Sequence, residues 1–111
     1  MTQIPDNLRH VGPGWHGILV ELHGGLVKLD PGYTVSQVKE KFGGLRVYLD
    51  FSVADSDGAM QDLINAAVTK ADVTCEECGQ PGSLREGSWL LTLCDECQKL
   101  RLQSKRTGDW A

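Results

Sequence analysis

An α+β fold is predicted by three features: one helical apolar stripe near the N-terminus, a two-glycine turn flanked by strand residues, and four cysteines arranged as two C-x2-C pairs. The paired cysteines have the spacing of a single tetrahedral zinc site. Together these features predict a helix, β-hairpin and helix forming a small core over residues 1–73. Residues 74–111 are expected to be a four-cysteine zinc unit with a C-terminal helix, treble-clef-like or alternatively a zinc ribbon, docked to make one compact domain. This last stretch has too few apolar side chains to fold without a metal.

Met1 to Pro13 reads as irregular, with Pro5 and the breaker cluster Gly12-Pro13-Gly14. Trp15, Ile18, Leu19, Leu22, Leu26 and Leu29 then recur at helical spacing on one stripe. Gly24-Gly25 interrupts the stripe at about 1 kcal/mol per residue relative to Ala, which predicts either a locally weak helix or a close neighbour. His16 and His23 share a face and read as surface imidazoles rather than a second metal or ligand site. Asp30-Pro31-Gly32 ends the helix.

Tyr33 to Phe51 has hairpin character, with Gly43-Gly44 as a two-residue turn that sets Phe42 opposite Leu45. That register pairs Glu40 with Val47, Val38 with Leu49 and Ser36 with Phe51 on a largely apolar face, expected to cover the first helix. The other face pairs Lys41 with Arg46, Lys39 with Tyr48 and Gln37 with Asp50, and is basic and aromatic. Glu40 reads as a charge at the sheet margin or as an acid held by a partner. Asp55-Ser56-Asp57-Gly58 supplies caps for a second helix carrying Met60, Leu63, Ile64, Ala67, Val68 and Ala71 on one side. Asp72-Val73-Thr74 connects it to the cysteines.

Cys75/Cys78 and Cys94/Cys97 are separated by fifteen residues and are all the cysteines in the chain. A two-residue gap lets both sulfurs of a pair reach one ion at about 2.3 Å while nearby N–H groups bond to them. Gly79 suits the positive φ of such a knuckle. Gln80-Pro81-Gly82 is turn chemistry, Ser83 to Arg85 and Trp89 to Leu93 read as strands around Glu86-Gly87-Ser88, and Gln98 to Arg106 reads as a helix with Leu100 inward. Trp89, Leu91 and Leu93 alternate and are the expected apolar contact with the core. A pair of disulfides is disfavoured, because no secretory leader precedes the cysteines and a C-x2-C disulfide is usually a redox device. Four thiolates leave no open position for water, so the ion is expected to be structural. His10, His16 and His23 lie far upstream of it.

Eleven Lys and Arg against fifteen Asp and Glu give a net charge of -4, and four thiolates on one divalent ion add to it. That balance opposes non-specific nucleic-acid binding. No apolar run has the length of a membrane span and Met1 to Asp6 lacks a basic and apolar leader, so the expected compartment is a reducing cytoplasm.

Gln37-Val38-Lys39-Glu40-Lys41-Phe42-Gly43-Gly44-Leu45-Arg46-Val47-Tyr48, the Cys75-Glu76-Glu77-Cys78-Gly79 and Trp89 to Cys97 blocks, and Gly14-Trp15 are specific as a set. Over residues 12–97 they resemble a family of small uncharacterised zinc-binding proteins encoded by bacteriophages and prophages. That family often has His where Cys97 stands, and either residue completes a zinc site. The resemblance implies a phage or bacterial accessory protein and supplies no activity.

Catalysis is not expected, since no nucleophile with a base, carboxylate pair or open metal site stands at a recognisable spacing. The expected site residues are Cys75, Cys78, Cys94 and Cys97 for one structural zinc and Lys39, Lys41, Arg46 and Tyr48 for a partner, with Lys99, Arg101, Lys105 and Arg106 as a supporting basic tail. The expected function is a non-catalytic binding module that modulates a host protein or defence complex. The alternative is a nucleic-acid-binding zinc finger with Tyr48 as a stacking platform.

Overall fold

The computed structural model describes residues 2–55, 57–86 and 90–107, with side chains through Leu102. It is an α+β structure with two small antiparallel sheets. Helix α1 spans His16–Leu29, and its stripe buries Trp15, Ile18, Leu19, Leu22 and Leu26. Leu29 is exposed, because the helix ends there and Asp30 turns the chain, accepting the Gly32 N–H on its side chain. The Gly24-Gly25 step remains helical. A Cβ on Gly25 would come within 3.0 Å of Leu63, so the close-neighbour reading holds.

The segment expected to be irregular is ordered. Residues Ile4–His10 and Pro13–Trp15 form 3₁₀ helices, each with proline in its first turn. Thr2 bridges to Val35, and the fully buried Ile4 donates its N–H to the Tyr33 hydroxyl at 3.1 Å. Ile4, Leu8 and Val11 are too few to make a periodic signal, yet Ile4 and Val11 are buried against α1 and the sheet.

Strands β1 (Val35–Lys41) and β2 (Gly44–Leu49) make the first hairpin, with a different turn from the one expected. Its central residues are Phe42 (φ 55) and Gly43 (φ 81), the two positive values of a type I′ turn. Observed pairs are Lys41 with Gly44, Glu40 with Leu45, Lys39 with Arg46, Val38 with Val47 and Gln37 with Tyr48. Moving the turn by one residue moves each partner by two, so the same side chains keep the same face and burial does not discriminate between the registers. Local bonds do. The Glu40 carboxylate accepts the Gly43 N–H at 2.6 Å, which makes it a held acid and not an edge charge. Ser36 and Phe51 do not pair inward: a register shift beyond Val35 brings Val35 opposite Leu49. Asp50 accepts the Ser52 N–H and throws Phe51 into solvent.

Helix α2 (Ala59–Ala71) is capped by Asp55, whose two carboxylate oxygens accept the Met60 and Gln61 N–H groups. It buries Met60, Ile64, Ala67 and Ala71 against α1 and β2. Strands β3 (Ser83–Arg85) and β4 (Leu91–Leu93) form the second hairpin, and helix α3 spans Asp95–Thr107. Leu84 and Thr92 are cross-strand partners, and this pair meets the first hairpin: Thr92 Oγ1 donates to Gly43 O at 2.7 Å. A Cβ on Gly43 would lie 2.5 Å from Leu84, so glycine there serves both the turn and the contact. The expected docking face was the opposite one. Leu91 and Leu93 instead line a hollow with Cys97 and Leu100 of α3, Leu100 is exposed rather than inward, and Trp89 lies outside the described residues.

Candidate metal centre

Two pieces of local structure deliver the sulfurs. Cys75 and Cys78 share a turn beyond α2 closed by two backbone bonds, Cys75 N–H to Gln80 O at 2.7 Å and Gly79 N–H to Cys75 O at 2.9 Å, with Gly79 at φ 83. Strand β4 brings Cys94 to the start of α3, and Cys97 lies in the first turn of that helix. The Cys97 N–H points at Cys94 Sγ at 3.4 Å, a donor placed to stabilise a thiolate.

All four Sγ atoms lie within 4.8 Å of one another, with Cys78 and Cys94 3.5 Å apart, and none is in a disulfide. A tetrahedral ion with sulfurs at about 2.3 Å would separate them by about 3.8 Å. Burial opposes the Cys75 thiolate, yet N–H groups of Cys94, Cys78 and Glu77 with the Cys78 side chain outweigh it and lower Cys75 to about 6. Cys97 moves the other way, raised by burial and by the three neighbouring sulfurs. Four thiols this close ionise together only around a cation, so the donor set fits a thiophilic metal.

The knuckle is clamped to the core by residues whose role the sequence reading missed. Gly14 N–H donates to Glu76 O at 2.8 Å, and Trp15 Nε1 donates to Thr74 O at 2.8 Å. A Cβ on Gly14 would sit 2.1 Å from Cys75 O. A Gly-x-Gly before a buried Trp reads equally well as a helix breaker, and only the fold shows that a backbone lies against it. Between the ligand positions Glu76 is buried, and burial followed by Glu40, Glu77 and Cys75 raises it to about 7 while Arg101 opposes the shift. Arg85 of β3 donates to Leu93 O in β4 and reaches α3 through a 2.8 Å ion pair with Asp95.

The other predicted site residues separate into two groups. Lys39, Lys41, Arg46 and Tyr48 share the outer face of the first hairpin; Lys39 is half-buried and the other three are exposed. Lys99 is exposed, Arg101 is half-buried with its charge favouring the Glu76 carboxylate, and the side chains of Lys105 and Arg106 lie outside the described residues. His16 bonds to Val11 O and His23 Nδ1 to the Tyr33 hydroxyl at 2.5 Å, so both are half-buried anchors rather than surface imidazoles. Among the described residues the cysteines are the sole cluster suited to a metal, and no helix is long and apolar enough to cross a membrane. No family model matches the chain, and no curated protein and no solved structure matches it.

Proposed function

We propose that Cys75, Cys78, Cys94 and Cys97 hold one structural zinc ion in a treble-clef-like unit, and that the protein is a non-catalytic binding module. The convergence of all four thiols within 4.8 Å carries the metal reading. The order of knuckle, β3–β4 hairpin and a helix starting at the second pair supports a treble clef, since a zinc ribbon would have a further hairpin in place of α3. With four protein ligands the ion supplies folding energy and presents no vacant coordination position.

The binding reading rests on Lys39, Lys41, Arg46 and Tyr48 standing on one hairpin face in a chain of net charge -4. Among the described residues none of these three cations forms an ion pair. The partner is a host or phage protein, and the protein acts as a phage or prophage accessory factor in the bacterial cytoplasm; the wording of residues 12–97 supports that setting. The test compares the parent with a Lys39→Ala, Lys41→Ala, Arg46→Ala variant in affinity capture from bacterial lysate, with and without nuclease. Partners that persist after nuclease and disappear with the variant support the reading. Partners lost on nuclease treatment would replace it with nucleic-acid binding, and equal capture by the variant would remove the face from consideration.

A further inference from the structure

Where the tip of the first hairpin meets α2 and β3, a cleft of about 400 Å³ opens. Lys41 and Arg46 give it a cationic rim, Phe42, Val68 and Leu84 give it apolar walls, and Asp72 adds one carboxylate. Phe42 is 67% exposed and Leu84 49% exposed, so neither ring nor isobutyl group is spent on the core. The Lys41 ammonium lies 5.5 Å from the Phe42 ring centroid, which sets charge and apolar surface side by side.

Resting on the binding-module reading above, we propose that this cleft seats one apolar side chain of an acidic peptide segment in a partner protein, with flanking carboxylates on Lys41 and Arg46. The charge pattern selects this occupant. Lys41 and Arg46 have no acidic partner among the described residues and attract carboxylates. Asp72 can accept a peptide N–H, a backbone donor that a phosphate chain lacks, which favours a peptide over nucleic acid in the same place. An exposed aromatic beside an apolar wall is the usual form of an interface anchor. Because β3 lies between the two cysteine pairs, the Leu84 wall is held by the metal unit, and binding depends on the metal although the ion never touches the ligand.

The experiment titrates the zinc-loaded, ¹⁵N-labelled full chain with the blocked peptide Glu-Asp-Phe-Asp-Glu, its neutral counterpart Gln-Asn-Phe-Asn-Gln, and a ten-nucleotide oligothymidylate. The acidic peptide should saturate amide shifts at Phe42 to Arg46, Val68 and Leu84 with a dissociation constant on the order of 1 mM or tighter. Phe42→Asn and Leu84→Ala should each weaken it about tenfold with zinc content unchanged. Absence of saturable shifts, equal binding of the neutral peptide, or tighter binding of the oligonucleotide at the same amides would overturn the proposal. Shifts confined to Lys39 and Tyr48, with Leu84→Ala silent, would remove the cleft and leave the hairpin-face reading in place.

Discussion

Phe42 occupies a left-handed backbone position (φ 55) without a packing return, since its ring is exposed. A side chain there costs about 1 kcal/mol, and Asn-Gly is a preferred pair for the turn it shares with Gly43. Phe42→Asn should therefore raise unfolding stability by about 0.5–1 kcal/mol in denaturant titrations. An unchanged or lower stability would mean the ring supports the fold. Tyr33 makes the opposite case, a buried hydroxyl shared between Ile4 N–H and His23, with its pKa raised chiefly by burial, opposed by the Ile4 N–H bond and assisted by Asp6. The folded state then keeps its proton above about pH 10 while the unfolded chain releases it. Stability contributed by Tyr33 is complete below pH about 10 and is lost as pH rises from there toward the folded pKa. Tyr33→Phe should flatten that alkaline decline in thermal scans and lower stability at pH 7 by about 1 kcal/mol through the lost hydrogen bonds.

At the level of elements, what could be read in advance was face and what could not was register. Lys39, Arg46 and Tyr48 share the outer side whichever residue begins the turn, because strand alternation has period two. The turn itself was decided by the Glu40 bond to Gly43 and by the second hairpin pressing on it, both non-periodic features. The same limit reversed the docking face of β3–β4. Leu91 and Leu93 look like the contact by hydrophobicity, yet buried Thr92 makes it by donating to Gly43 O. Thr92→Val keeps the shape and leaves that carbonyl unpaired, at a cost of about 1–3 kcal/mol. Hydrogen exchange should speed up in β3 and β4 before it does in α1; uniform exchange across both would show that Thr92 is not the junction.

Over the whole molecule, the cysteine spacing and the stripe of α1 were legible because each repeats a simple interval. The N-terminal residues were not, since Thr2 and Ile4 are organised by partners about thirty positions away rather than by their neighbours. Metal removal should reach beyond the cysteines for the same reason. The knuckle and the 3₁₀ turn that leads into α1 share the Gly14–Glu76 and Trp15–Thr74 bonds, so a chelator should expose Trp15 as well as dissolve β3–β4. Expected observations are one equivalent of zinc per chain by elemental analysis and a red shift of tryptophan emission on chelation. Metal below half an equivalent after purification without chelator would count against the site.

The bond from Trp15 to Thr74 spans 59 residues, and the four sulfurs gathered beyond Thr74 extend to Cys97. A ribosome adding about 5–20 residues per second needs several seconds to cover that distance. During that interval Trp15 has been made and its acceptor at Thr74 has not. Closure of the cysteine cluster thus waits on the synthesis of Cys97 and, on the proposed metal reading, on the supply of an ion.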